Sequence, residues 1–344
     1  MRILLACVIL LLSGCGQDAL YQSHSYVFGT LVDISIYNEP EKRSRELASH
    51  VEQEFQRLHN QLHAWQESSE LYHLNQTFRE GKTPIPISGE LAYIIKNASD
   101  LSVQSKGSFN PAIGGLIHAW GFQRDNFTPI DVSAMTIAEW VSKKPQMSDI
   151  ILNGNSAFSK NPAVQVDLGG YAKGYALDKA REYLLSQKVH SALINIGGNI
   201  IAIGKHGDAP WRIGIQHPRK PTPIATIDLP DGWAIGTSGD YQRYFEKDGK
   251  RYCHIINPFT GYPAQGTESV TILVPPGKNA GTVSDAASKP IFIAETNTER
   301  VKAAAEMGIM DFMVIDSQGK IFISPSIKDK LHWEESNVEY QILR

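Results

Sequence analysis

Apolar residues recur at spacings of three and four over residues 40–65, where Leu47, Val51, Phe55, Leu58 and Leu62 fall on one stripe. That period predicts an amphipathic helix. Residues 88–106 read as a second helix, with Ser88 at its N-cap and Gly107 as its stop. Two more are expected over 133–144 and 175–187, and another over 298–307 that Gly308 closes. A helix over 284–294 has to accommodate Pro290. Runs rich in β-branched and aromatic residues predict strands over 26–37, 164–168, 191–196, 211–216, 224–229, 233–237, 252–256 and 269–274. Residues 312–316 and 320–324 flank Ser317-Gln318-Gly319 as a hairpin, and the Pro-rich stretch 217–223 reads as a surface loop. Strict strand–helix alternation is missing. The expected class is therefore α+β, with mixed or antiparallel sheets and packed helices in one compact unit over residues 26–344.

The chain has 344 residues, 42% hydrophobic and 20% charged, with a formal charge of −3. That length supports a sizeable core. The near-balanced charge supplies no basic face, so nucleic acid is not an expected partner. At the N-terminus Met1-Arg2 precede an apolar run from Ile3 to Leu12, then Ser13-Gly14-Cys15. One positive charge followed by a short apolar run has the form of a secretory signal. Leu12-Ser13-Gly14-Cys15 resembles a bacterial lipobox, in which the cysteine becomes the lipidated first residue. The expectation is a signal peptide over 1–14, lipidation at Cys15 and a polar tether over 15–25. No later run reaches the ~20 apolar residues of a membrane span. The leader takes Cys7 with it, so Cys253 is left as a single thiol, read as a buried strand residue facing away from His254.

Candidate chemistry gathers in Gly-rich segments. Val166-Asp167-Leu168-Gly169-Gly170-Tyr171-Ala172-Lys173-Gly174 runs from an expected strand into an expected helix. Small residues there let a ligand approach the backbone, and a helix N-terminus attracts phosphate. Lys173 would add a positive charge and Asp167 would accept hydrogen bonds from a ring. A tight strand-to-helix turn explains the same residues equally well. Asn195-Ile196-Gly197-Gly198-Asn199 and Gly236-Thr237-Ser238-Gly239-Asp240-Tyr241 read first as turns. His254 sits at a strand end, able to act as a base or a phosphate contact. Asp285 precedes a helix, as a cap or a hard-cation ligand. The histidines are scattered, which gives no zinc set, and no G-x-S-x-G elbow appears.

Taken in order, these pieces resemble the ApbE family, the FAD:protein FMN transferases. The likeness runs from Phe28-Gly29-Thr30 through Trp65 and Ser69-Glu70-Leu71 to Gly107-Ser108-Phe109-Asn110-Pro111 and Trp120-Gly121-Phe122. It continues through the Asp167 segment, Asn195 to Asn199, Thr237 to Tyr241 and His254 to Gly261, and ends at Ser284-Asp285-Ala286. The resemblance implies a two-lobed unit with FAD in the groove. It implies an enzyme that moves FMN from FAD to a threonine or serine of an acceptor protein, typically a redox-pump or electron-transfer subunit, and releases AMP. Such proteins are often lipid-anchored in the bacterial cell envelope, facing the periplasm. By motif position Phe28, Trp65, Ser108, Phe109, Asn110, Asp167, Lys173 and Ile256 would contact FAD, and His254 and Asp285 would serve catalysis. Gly170, through its carbonyl, and Asp285 would hold magnesium, with Ser288 as a hydroxyl from beside the position where the family has its metal-site threonine, turned about 100° away on a helix.

One departure bears on that metal. The family pattern has threonine four residues after the aspartate, and here the position is Lys289. An ammonium beside a cation is unfavourable unless one replaces the other. Lys289 therefore either takes over the ion's charge or points to solvent. A non-catalytic FAD-binding lipoprotein, or a variant that splits FAD into FMN and AMP with water, are the alternatives this departure opens.

Overall fold

The computed structural model describes residues 20–81, 83–124 and 126–344. Cys7, Cys15 and the expected leader lie outside the described residues. Among the described residues, nine strands build one sheet in strict chain order. They are β1 (Leu20–Val27), β2 (Thr30–Tyr37), β3 (Ala192–Ile196), β4 (Asn199–Ile203), β5 (Ala234–Gly239), β6 (Thr267–Val274), β7 (Asp311–Asp316), β8 (Ile321–Ile323) and β9 (Tyr340–Ile342). Every neighbouring pair is antiparallel except β8 with β9, which is parallel. The sheet is thus a long meander whose connections carry everything else.

One face of the meander is covered by helices α1 (Glu41–Leu62), α6 (Ala172–Ser186), α7 (Ala280–Ile293) and α8 (Asn297–Glu306). The 40–65 stripe is why α1 lies there: Leu47, Val51, Phe55, Leu58 and Leu62 are all buried. Each such side chain contributes about 1.5–3 kcal/mol. The other face is covered by a three-stranded sheet, Trp211–Gln216, Pro223–Leu229 and Leu331–Trp333. Strand alternation feeds both layers: Ile201 and Ile203 pack under the helices, Ile200 and Ala202 under the small sheet. The remaining helices, α2 (Glu70–Glu80), α3 (Gly89–Gln104), α4 (Gly114–Ala119) and α5 (Ala134–Ser142), belong to the long β2–β3 connection. A hairpin, Tyr244–Lys247 with Lys250–Cys253, leaves the β5–β6 connection and packs Phe245 against Trp120 and Phe122. This satellite core and the main sheet form the two lobes.

Several expectations change. Residues 26–37 are two strands, because Phe28 (φ 56°) and Gly29 (φ 69°) form a two-residue turn between Val27 and Thr30. Positive φ at both central residues is the geometry that matches strand twist. Residues 20–25, expected as tether, are part of edge strand β1. Residues 164–168 form no ladder: Gln165 makes one bridge to Ile113, and the Asn75 amide holds both the N–H and the carbonyl of Val166. The strand expected over 252–256 stops at Cys253. Helix α2 and strand β4 were not anticipated from the pattern.

Candidate functional site

The two lobes enclose a cavity of about 880 Å³. Its floor is made where α6 meets α7, and their approach is set by two glycines. A Cβ on Gly174 would lie 2.3 Å from the Gly281 carbonyl oxygen, and one on Gly281 2.6 Å from that of Gly174. Only bare backbones cross this closely. Asp178 of α6 locks the crossing by accepting from Gly281 N, Thr282 N and Thr282 Oγ1 at 2.7, 2.8 and 2.6 Å. Burial raises its carboxyl to about 6, against the pull of those bonds. The crossing brings Lys173 and Gly174 of α6 onto Asp285 and Lys289 of α7.

Asp285 is fully buried at this point. Its Oδ2 accepts from Gly174 N at 3.1 Å and faces Lys173 Nζ at 3.6 Å. Its Oδ1 accepts from Lys289 Nζ at 2.5 Å, and that ammonium also donates to the Asp285 carbonyl at 2.6 Å. Burial alone would raise the Asp285 carboxyl, but the two ammonium groups hold it below the usual range. Burial lowers Lys173, and Lys289 and Arg243 push the same way against Asp285. Lys173 also donates to the Gly169 carbonyl at 2.9 Å, tying the N-terminal turn of α6.

His254 lines the cavity wall, and its Nδ1 lies 3.2 Å from the Arg243 carbonyl. A carbonyl only accepts, so Nδ1 carries the hydrogen and Nε2 keeps its lone pair. Burial, then the charges of Arg243, Lys173 and Lys289, push the ring down to about 3. His254 is therefore neutral in the free protein. Cys253 beside it points into the core and its thiol is pushed up to about 12 by burial, so it is inert.

The expected binding residues Phe28, Trp65, Ser108, Phe109, Asn110, Asp167, Lys173 and Ile256 all line the cavity, as do Gly170 and Lys289. Phe28 is presented at the β1–β2 turn against His59, ring centroids 5.6 Å apart. Trp65 Nε1 donates to Asp167 Oδ2 at 2.9 Å, and Gly169 N donates to Asp167 Oδ1 at 2.8 Å. Asn110 is braced at both ends, its amide bonding Pro145 O and Ala112 N, so its role is to hold the 108–113 turn.

Ser288 is a correction. It does not line the cavity, and its hydroxyl is taken up by Asp285 O at 2.9 Å and Ser238 Oγ at 2.8 Å. The residues present do not fit a divalent ion. One carboxylate faces two ammonium groups, and Lys289 already takes the oxygens an ion would need. Among the described residues no three His, Cys, Asp or Glu side chains converge as a metal set.

Sequence reasoning missed Arg243, His59 and His63, which also line the cavity. The two histidines were legible as an i, i+4 pair, His59 in the last turn of α1 and His63 at its C-cap, rings 5.2 Å apart. Arg243 carried no such signal: it arrives on a loop and lays its guanidinium over Gly29.

Comparison with known proteins identifies the family. The ApbE family model matches residues 28–313. A protein of Rhodobacter capsulatus named FAD:protein FMN transferase is 36% identical over 307 residues, 89% of this chain, although the chain spans only 57% of that protein. One of the same name from Vibrio cholerae is 30% identical, with 93% of this chain and 96% of that protein covered. The ApbE protein of Thermotoga maritima superposes with a TM-score of 0.82 at 32% identity, over 91% of this chain and 99% of that one. The Vibrio cholerae flavin transferase ApbE gives 0.77 at 26% identity, with the same coverage. This chain belongs to the ApbE family.

Proposed function

We propose that this protein transfers FMN from FAD to a threonine or serine hydroxyl of an exported or membrane redox protein, such as a redox-pump or electron-transfer subunit, and releases AMP. The observation that carries the reading is the cavity floor. Lys173, Lys289 and Arg243 face a polyanion-sized space beneath a wall of aromatic rings, and the buried Asp285 pairs with the two lysines from below. Flat rings suit a flavin and an adenine, and the cationic floor suits the pyrophosphate between them.

In this reaction the acceptor oxygen forms a bond to the flavin-side phosphorus. The bond from that phosphorus to the bridging oxygen breaks, and the bridging oxygen leaves on AMP. Lys173 and Lys289 balance charge on the phosphates as it shifts toward AMP. His254 Nε2 accepts the hydroxyl hydrogen bond and takes the proton as the new bond forms. Burial depresses the ring first and the neighbouring positive charges second; the pyrophosphate offsets the second, which makes the ring a better base once FAD is bound. Asp167, held by Trp65 and Gly169, orients the FAD rings.

The lipobox-like Leu12-Ser13-Gly14-Cys15 supports the further proposal that the protein acts on the periplasmic side of the bacterial envelope, anchored through Cys15. His254→Ala tests the assignment of the base. The account expects FAD affinity to change little and transfer to an acceptor domain to fall about 10²-fold or more. An unchanged transfer rate contradicts the role.

A further inference from the structure

The expected magnesium set and the observed side chains disagree, and the disagreement has a direction. Lys289 does not point to solvent. Its chain runs beneath the Gly170 turn, with Cε 3.2 Å from where a Gly170 Cβ would stand, and its ammonium ends on Asp285 Oδ1 and Asp285 O. A single fixed cation thus bridges the side-chain and main-chain oxygens of Asp285, at the Gly170 lip of the cavity. Lys173 supplies the second ammonium from the other helix. Arg243 lines the same cavity. Counting the whole cavity, Lys173, Lys289, Arg243 and Arg124 stand against the carboxylates of Asp167 and the buried Asp285, an excess of two positive charges, which equals the charge of an FAD pyrophosphate.

We propose that the Lys289 ammonium, seated on Asp285 beside Lys173, is the built-in counter-cation for the FAD pyrophosphate, so that FAD binding and turnover need no divalent ion. This rests on the reading of the cavity as an FAD site. A dication brought to Asp285 has to displace Lys289 and then sit beside two like charges, which is unfavourable at a carboxylate that is itself fully buried. Lys289 requires no separate binding event, because its stem is held along the floor and its head is already paired. Asp285 keeps both ammonium groups in place, and Gly174 N fixes the carboxylate that does so.

The test is an FAD titration followed by flavin fluorescence, in EDTA and again in magnesium chloride, with wild type, Lys289→Thr and Lys289→Arg. For wild type the proposal expects a dissociation constant that shifts by less than about twofold between the two buffers. Lys289→Thr, which removes the charge, is expected to bind FAD about tenfold or more weakly in EDTA and to regain affinity in magnesium. Lys289→Arg keeps the charge and is expected to stay indifferent to magnesium. Thermal unfolding of each variant without FAD shows that the fold is intact. Wild-type binding that magnesium strengthens tenfold or more overturns the proposal and leaves flavin transfer standing. So does a Lys289→Thr protein that matches wild type in both buffers. Absence of FAD binding in either buffer overturns the FAD site itself, and the counter-cation with it.

Discussion

His254 and Asp285 owe their properties to the same few ångströms of cavity floor. His254 is pushed down to about 3, first by burial and then by Arg243, Lys173 and Lys289. In the unfolded chain a histidine titrates near 6.5. Between those values the unfolded state binds a proton that the folded state refuses. The stabilising contribution is therefore complete above about 6.5 and is lost as the pH falls toward 3. Urea unfolding at pH 7 and pH 5 should show wild type losing more stability than His254→Gln across that step. Asp178, raised to about 6, contributes in the opposite sense in both proteins and cancels from the comparison. An equal loss in the two proteins would contradict the burial of a neutral ring.

At the scale of elements, the site exists because α6 and α7 touch backbone to backbone. Gly174→Ala puts a methyl 2.3 Å from the Gly281 carbonyl, so the helices must part. The expected cost is about 1–3 kcal/mol of stability. FAD affinity should fall as well, since Lys173 and Asp285 ride on the two helices. A variant with unchanged melting temperature and unchanged FAD affinity would contradict the crossing as the organiser of the floor. The same scale explains what the sequence made legible. The helices α1, α3 and α6 each bury one stripe, and residue spacing finds them. Helix α2 escaped because its buried face, Leu71, Leu74, Asn75 and Phe78, contains a polar residue. The Asn75 amide belongs there because it holds the strand-like 164–168 run that has no ladder partner. Strand β4 escaped because all five of its residues are buried, so alternation of polar and apolar positions vanishes. The Asp167, Lys173, His254 and Asp285 segments were legible as motifs. Arg243 was not, since only the closure of two lobes brings its loop over the β1–β2 turn.

At the scale of the molecule, a sequential meander is a rigid frame that leaves its connections free to build one groove. The long β2–β3 connection supplies the aromatic wall and the α6 floor, and the β5–β6 connection supplies Arg243 and His254. Edge strand β1 is described from Leu20, five positions after Cys15 in the sequence. If Cys15 carries lipid, the domain is held close to the membrane, where an acceptor subunit would be met. Cys15→Ser should move the protein from the membrane fraction to the soluble periplasmic fraction, and retention in the membrane fraction would contradict the anchor. The claim on which the account turns is the fate of FAD. It is tested most directly by incubating the full protein with FAD and an acceptor flavoprotein domain, then measuring the intact mass of the acceptor and the AMP released. The account predicts one FMN added per acceptor, on a threonine or serine, with one AMP released for each. FAD bound without AMP release, or free FMN and AMP with an unmodified acceptor, would contradict it.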